Sequence, residues 1–102
     1  MHYILFYDVE GGYVERRAKF RAEHLDLARQ AHQQGDLVLA GALADPVDGA
    51  VLVFRSGKAA EAFAQADPYV RNGLVKSWRV RQWTTVIGDG ASLPDVGGSQ
   101  PV

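Results

Sequence analysis

Residues 50–68 read AVLVFRSGKAAEAFAQADP, and this stretch contains a strand, the start of a helix and the end of that helix. Ala50 to Phe54 is an unbroken apolar run bounded by polar residues, which is typical of a buried strand. Ser56 is a candidate N-cap for a helix through Ala66. Asp67-Pro68 ends that helix, because proline disfavours the α conformation of the residue before it, and Asp67 can cap the new turn that Pro68 opens.

The segments on either side complete an alternating pattern. A dense run of aromatic and β-branched residues predicts a first strand, and apolar residues at helical spacing predict one long helix after it. Gly35 is a plausible end for that helix, and a Pro/Asp/Gly cluster predicts a turn between the next two strands. The predicted segments are a strand at His2 to Val9, a helix at Tyr13 to about Gln34, a strand at Leu37 to Gly41, a turn at Asp45 to Gly49 and a last strand at Ser77 to Ile87.

The resulting order is β-α-β-β-α-β, which predicts a ferredoxin-like α+β fold with both helices on one face of an antiparallel sheet. We expect one domain over residues 1–87. Residues 88–102 are rich in Gly, Pro and Ser and lack periodicity, so we expect a flexible C-terminal tail there.

Both faces of the predicted sheet are apolar. Side chains alternate between the two faces of a strand, yet the first and third strands carry apolar residues at nearly every position. Trp78 and Trp83 are an odd number of positions apart, so they should lie on opposite faces. Two helices cover one face only, and we expect a second copy of the chain to cover the other in a homodimer. The alternative is that the tail folds back over it.

Composition excludes several classes of function. The formal net charge is −1 and the sequence contains no Cys, so a disulfide framework, a Cys metal site and a thiol nucleophile are all excluded. No basic stripe indicates nucleic acid and no long apolar run indicates a membrane span. No metal-binding motif is present. The first residues lack the features of a signal peptide, so we expect a cytoplasmic protein.

His24 is the first candidate catalytic residue. It lies within the apolar stripe of the long helix, between Phe20 and Leu27. A buried imidazole needs hydrogen-bond partners, and histidine side chains change charge near neutral pH. A core histidine bonded to a backbone carbonyl is the alternative interpretation.

Asp67 is the second candidate. In a ferredoxin-like fold the two helices are neighbours, so the break at Asp67 can face His24. An aspartate there would fix the tautomer of the imidazole and make its other nitrogen a better base. A simple helix cap is the alternative role for this residue.

Other residues are weaker candidates for a substrate pocket. Arg21 could bind an anionic group, and Tyr69, Phe20 and Phe6 could contact a flat substrate. His2 and His32 have no partners by spacing, so we expect them at the surface.

Three segments give the chain a resemblance to a known family. They are Arg21-Ala22-Glu23-His24-Leu25, Gly35-Asp36-Leu37-Val38-Leu39-Ala40-Gly41 and Asp67-Pro68-Tyr69-Val70-Arg71-Asn72-Gly73-Leu74. In order and spacing they resemble the signature segments of YciI-like proteins, which contain the YCII-related domain, over roughly residues 1–87. Some relatives carry Ser-Thr at the start of the third strand, where this chain has Ala50-Val51.

The resemblance implies a ferredoxin-like unit that dimerises sheet to sheet, as in dimeric α+β barrels. It also implies that His24 and Asp67 form the active site. Most members have no known function, and one relative is a dehydrochlorinase of chlorinated hydroquinones believed to use such a dyad. If the relatives' Ser-Thr hydroxyl holds substrate, the chemistry at Ala50 differs here.

Two functions from different classes therefore stand as hypotheses. The first is a cofactor-independent enzyme in which His24 and Asp67 carry out acid–base chemistry, by elimination, isomerisation or proton abstraction on a small organic molecule. The second is a non-catalytic ligand-binding or assembly module in which the pair only holds two helices together. A haem-dependent or oxygenase relative is a third reading, which cofactor absorbance would reveal.

Overall fold

The computed structural model describes residues 1–91, and these residues form four strands and four short to medium helices around one sheet. The strands are β1 (His2–Val9), β2 (Leu37–Ala42), β3 (Gly49–Phe54) and β4 (Val75–Trp83). The helices are α1 (Tyr13–Arg16), α2 (Arg21–Gln33), α3 (Gly57–Ala66) and α4 (Pro68–Arg71), and a 3-10 turn (Arg17–Lys19) joins α1 to α2.

The sheet confirms the predicted fold class. Its strand order is β2-β3-β1-β4, and all three neighbouring pairs are antiparallel. The two central strands, β1 and β3, are joined through the α1–α2 segment and β2, as a ferredoxin-like βαββαβ chain requires. The predicted β2 and β3 each differ from the observed strands by one residue at one end.

Alternate residues of β1 and β3 form the core beneath the helices. Leu5 pairs with Leu52 across the two strands, and both are buried, while Phe54 packs against Phe63 of α3 with ring centroids 5.5 Å apart. Burying one such side chain stabilises the fold by roughly 1.5–3 kcal/mol. This layer fixes α3 against the sheet, and α3 in turn fixes the chain that follows it.

The junction between α3 and α4 follows the prediction from the sequence. The Ser56 hydroxyl accepts a hydrogen bond from the Ala59 amide at 3.1 Å and caps α3. Asp67 ends α3 in an extended conformation and caps α4 by accepting from the Tyr69 amide at 3.0 Å, with Pro68 as the first residue of that helix. The break therefore turns the Asp67 carboxylate inward, towards α2.

The predicted single helix over residues 13–34 is wrong, because the chain breaks at Phe20. Phe20 has φ −111° and ψ 0°, and its amide bonds the Arg17 carbonyl in a 3-10 turn before α2 begins. The apolar stripe continues across this break, so periodicity alone could not detect the change of direction. As a result, α1 and the 3-10 turn bring their own side chains to the end of α2.

The last strand begins and ends earlier than predicted, at Val75 and Trp83 instead of Ser77 and Ile87. An irregularity between Asp8 and Val9 lets Val9 pair with Val75, which extends the ladder at that end. Trp78 pairs with Tyr7 on the helix side and Trp83 pairs with His2 on the other side, so the predicted opposite orientation of the two tryptophans is confirmed.

The helix-free face of the sheet carries Ile4, Phe6, Val51 and Val53, all half-buried, and an exposed Leu39. The chain after β4 returns to one end of this face. There His2 is buried, with Nδ1 2.8 Å from the Thr85 hydroxyl, so the expectation of a surface residue at His2 is wrong.

The pKa of His2 lies below its ordinary value, because burial, the N-terminal ammonium and Arg55 all disfavour the charged ring. The predicted tail begins at Gly88, and its part beyond residue 91 lies outside the described residues. Within residues 1–91, no helix combines the length and apolar character needed to cross a membrane.

Candidate active site

His24 and Asp67 are in direct contact. His24 lies on the second turn of α2, and its Nδ1 is 2.9 Å from Oδ1 of Asp67 at the α3–α4 junction. The imidazole is largely buried, with 15% of the side chain exposed, and the carboxylate is fully buried. The contact that the sequence predicted between the long helix and the break after the second helix is therefore present.

Asp67 accepts three hydrogen bonds within residues 1–91. Oδ1 accepts from the Tyr69 amide at 3.0 Å and contacts His24 Nδ1, while Oδ2 accepts from the Tyr7 hydroxyl at 2.7 Å. A buried carboxylate is tolerated only when it is paired and its lone pairs are satisfied. These partners supply that compensation and come from three different elements, β1, α2 and α4.

The Tyr7 hydroxyl is a fixed donor to this carboxylate. Burial and the charge of Asp67 raise the pKa of Tyr7 well above its ordinary value, so the phenol stays protonated. The Tyr69 amide can only donate as well. Because both neighbours donate to Asp67, an ionised carboxylate is the consistent state. We therefore assign Nδ1–H of His24 as the donor to Oδ1, which leaves Nε2 with its lone pair.

Aromatic rings hold the imidazole plane in place. The Tyr69 ring stacks on His24 with centroids 3.9 Å apart and an interplanar angle of 5°. Phe63 meets the imidazole edge-on at 6.2 Å and 78°. No hydrogen bond is made by Nε2 in the part of the chain that the structure describes, and His24 lines the adjacent cavity. The ring therefore has a fixed orientation and one nitrogen available to a ligand.

The cavity lies between α2 and strand β2 and has a volume of about 630 Å³. This volume falls within the range of small-molecule sites, roughly 300–1,000 Å³. Its apolar walls come from both elements and from β3. These wall residues include Leu25 and Ala28 of α2, Leu37 and Ala40 of β2, and Ala50 and Leu52 of β3.

The charged groups around the cavity are basic. Arg17, Arg21 and Arg29 line it together with His24 and His32, and no Asp or Glu is among the lining residues. The guanidinium of Arg17 lies 5.4 Å from the centre of the Tyr13 ring, which also lines the cavity. The basic lining contrasts with the whole chain, whose formal net charge is −1.

The structure places only some of the predicted substrate-pocket residues beside His24. Arg21 and Tyr69 line the cavity with His24. Phe20 packs against the core at the helix break and is not among the lining residues. Phe6 lies on the helix-free face beneath Arg79, whose guanidinium is 4.5 Å from the ring centre, so grouping it with the pocket was wrong.

Sequence reasoning missed Tyr7, Tyr13 and Arg17. The position of Tyr7 could have been predicted, because Tyr7 is two residues from Leu5 on β1 and alternate residues of a strand lie on the same face. Both side chains therefore face the helices. The positions of Tyr13 and Arg17 could not have been predicted, since the break at Phe20 brings them to the cavity. Among residues 1–91, no group of three or more His, Cys, Asp or Glu side chains is arranged to hold a metal ion.

Known proteins share this arrangement of elements. The sequence pattern of the YCII-related domain matches residues 1–84. The chain belongs to the YCII-related domain family. The YciI proteins of Escherichia coli O6:H1 and Shigella flexneri are each 30% identical to it over 98 residues, which cover 85% of this chain and 100% of each relative. The resemblance inferred from the three sequence segments is thereby confirmed.

A solved structure has the same fold as this YCII-related domain. It is the 5-chloro-2-hydroxyhydroquinone dehydrochlorinase of Burkholderia phenoliruptrix in complex with 2,5-dihydroxybenzoquinone. The TM-score is 0.68 at 18% identity, and the match covers 90% of this chain and 100% of that one. In this chain, Ala50 lines the cavity opposite Tyr7 in the strand ladder, so the departure from the Ser-Thr of some relatives lies within the candidate site.

Proposed function

We propose that this YCII-related domain is a cofactor-independent enzyme in which His24 Nε2 removes a proton from a small organic molecule. Asp67 and Tyr7 act as positioning residues. The single observation that carries the proposal is the geometry of His24, whose Nδ1 is held by Asp67 at 2.9 Å while the imidazole lines a cavity of about 630 Å³.

The proposed step transfers one proton. A C–H bond of the substrate breaks, an N–H bond forms at Nε2, and the electron pair passes into an adjacent carbonyl system as an enolate. In an elimination, that pair then expels a leaving group such as chloride from the neighbouring carbon. In an isomerisation, His24 returns the proton to another carbon. The nearby Asp67 carboxylate stabilises the imidazolium that forms between these events.

The ligand of the structural neighbour supports a flat, oxygen-bearing substrate. That protein binds 2,5-dihydroxybenzoquinone, and its name describes removal of chloride from a hydroxylated ring. The flat face of Tyr69 and the apolar walls at Leu25 and Leu52 suit a ring of this kind. Ala50 offers no hydroxyl at the position where some relatives carry Ser-Thr, so a substrate group beside Ala50 would find no hydrogen-bonding side chain at that residue.

The test is a screen for proton removal. Small enolisable compounds and chlorinated hydroxyhydroquinones are incubated in deuterated buffer, with deuterium incorporation read by NMR and chloride release by ion chromatography. We expect turnover by the parent protein and a loss of about 10²–10⁴-fold in His24→Asn, since a positioned base contributes that much. Asp67→Asn should also lose activity, whereas the matched variant Asp8→Asn, in an exposed residue on the other sheet face, should keep it.

Two outcomes contradict the proposal. Undiminished turnover in a folded His24→Asn protein would remove His24 from the chemistry. No exchange and no chloride release across the whole panel would favour the alternative function, a non-catalytic binding module in which the Asp67 contacts serve only to join β1, α2 and α4.

A further inference from the structure

The basic residues that line the cavity beside His24 are not all neutralised by acidic partners in the described part of the chain. Arg17 and Arg21 form no ion pair within residues 1–91, while Arg29 pairs with Asp26 at 3.3 Å on an exposed surface. Both arginines line the same cavity, where no Asp or Glu is among the lining residues, and an anion bound there would interact favourably with both guanidinium groups. Their location in a concave site therefore favours an anionic ligand.

Tyr69 adds an independent observation. Tyr69 is 1% exposed, and its hydroxyl is buried and makes no hydrogen bond of normal geometry in the described part of the chain. Leaving a buried hydroxyl proton unpaired is unfavourable, so this hydroxyl indicates a missing acceptor. Burial and Tyr13 raise the pKa of Tyr69, and Arg21 and Arg17 oppose this rise, Arg21 partly as a side-chain hydrogen-bond donor to the phenol. A guanidinium can only donate, so even this contact leaves the hydroxyl proton of Tyr69 without an acceptor.

The remaining lining limits what the anion can be attached to. Apolar residues of α2, β2 and β3 line the same volume, and the imidazole of His24 lies at its wall. A bare inorganic anion would leave this apolar surface in contact with water, whereas a ring bearing an anionic oxygen would cover it.

We propose that the cavity binds a small ring compound through its oxyanion, a carboxylate or an ionised hydroxyl, which Arg17, Arg21 and the Tyr69 hydroxyl hold. This assignment rests on the proposed function only in that both place the ligand in the same cavity. The Tyr69 hydroxyl is buried, so the ligand reaches it by displacing part of the surrounding wall, and the Arg21 side chain in that wall is exposed to solvent.

The test measures binding by calorimetry at low and high salt. The ring anions are benzoate, 4-hydroxybenzoate and 2,5-dihydroxybenzoquinone, and the controls are neutral benzamide and inorganic phosphate. We expect at least one ring anion to bind about tenfold or more tightly than benzamide and phosphate, with the advantage reduced by salt. Arg17→Gln/Arg21→Gln should remove that advantage, and the matched Arg81→Gln, exposed on the opposite face, should preserve it.

Tyr69→Phe separates a binding role from a structural one. Deleting an unpartnered hydroxyl should leave the midpoint of urea unfolding unchanged or higher while weakening the ring anion about fivefold or more. A loss of stability together with unchanged affinity would show that the hydroxyl is part of the core and not of the anion site.

The outcomes distinguish this inference from the proposed function. Binding of a ring anion without any deuterium exchange or chloride release would contradict the proposed function and leave the oxyanion assignment intact. Turnover of neutral substrates without preference for anions would overturn the oxyanion assignment and leave the proton transfer intact. The assignment is also overturned if no ring anion binds below about 10 mM, or if phosphate binds as tightly as the ring anions.

Discussion

At the scale of the residue, the least expected feature is the number of groups that meet at Asp67. The sequence predicted the His24 contact, because an apolar helical stripe and a break before proline each suggested one partner. It did not predict Tyr7, whose inward position depends on the parity of β1 in the sheet. The catalytic role of the pair stays a prediction, since contact alone is compatible with either function.

Tyr7 should make the protein sensitive to alkali. The pKa of Tyr7 is raised by burial and by Asp67 above the ordinary 10.0, so the folded state keeps this proton longer than the unfolded state. Stability from this group is then fully present below pH 10.0 and is lost as pH rises towards the folded-state pKa. In Tyr7→Phe, the free energy of unfolding should fall by about 2 kcal/mol at neutral pH, because a hydrogen bond to a buried charge is lost.

Urea unfolding at neutral pH and above pH 10.0 checks this, because the deficit of Tyr7→Phe should shrink at the higher pH. Tyr3→Phe is the control, since within residues 1–91 the Tyr3 hydroxyl makes only an exposed contact to Met1 sulfur at 3.6 Å. A deficit that stays constant with pH would show that the Tyr7 proton is not linked to folding.

At the scale of the element, local signals predicted the second half of the chain better than the first. Ser56, Asp67 and Pro68 define both ends of α3 by their own hydrogen bonding and ring geometry, and the structure agrees with the sequence there. No such residue marks the break at Phe20, where the Phe20 side chain packs against the core. The cavity wall contributed by Tyr13 and Arg17 follows from that break, so it could not be inferred.

Ser56→Ala should test how much the cap of α3 contributes. Losing the hydrogen bond from the Ala59 amide should lower the free energy of unfolding by about 1 kcal/mol. Hydrogen exchange should quicken in the first turn of α3. Ser77→Ala, which removes an exposed side-chain hydrogen bond to Asp8 at 3.1 Å, should cost less. Equal losses in the two variants would argue against a special contribution from the cap.

At the scale of the whole molecule, the sheet presents two different faces. The helices cover one, and the chain around Thr85 and Gly90 returns to His2 at one end of the other, where the N-terminal ammonium donates to the Gly90 carbonyl at 2.7 Å. Ile4, Phe6, Val51 and Val53 form an apolar surface on this second face, and Leu39 beside them is 70% exposed. This is the surface for which the sequence suggested two possible partners, a second copy of the chain or the C-terminal tail folding back over it.

We expect a homodimer through this face, with a mass by light scattering of about twice the 11.1 kDa chain. Val53→Asp should convert it to a monomer that keeps its circular dichroism spectrum, because a charge cannot be buried unpaired between two apolar sheets. Val14→Asp, at an exposed site on α1, is the matched control and should remain dimeric. A monomeric parent protein would contradict the interpretation of the two-faced sheet.

The Asp67 hydrogen bonds have a practical consequence for finding ligands. They connect residues 43 and 60 positions apart, so the imidazole acquires its orientation only when most of the chain has folded. A compound that binds beside His24 therefore stabilises the folded state of the entire domain and raises its melting temperature. Thermal-shift screening can identify occupants of the cavity before any reaction product is known.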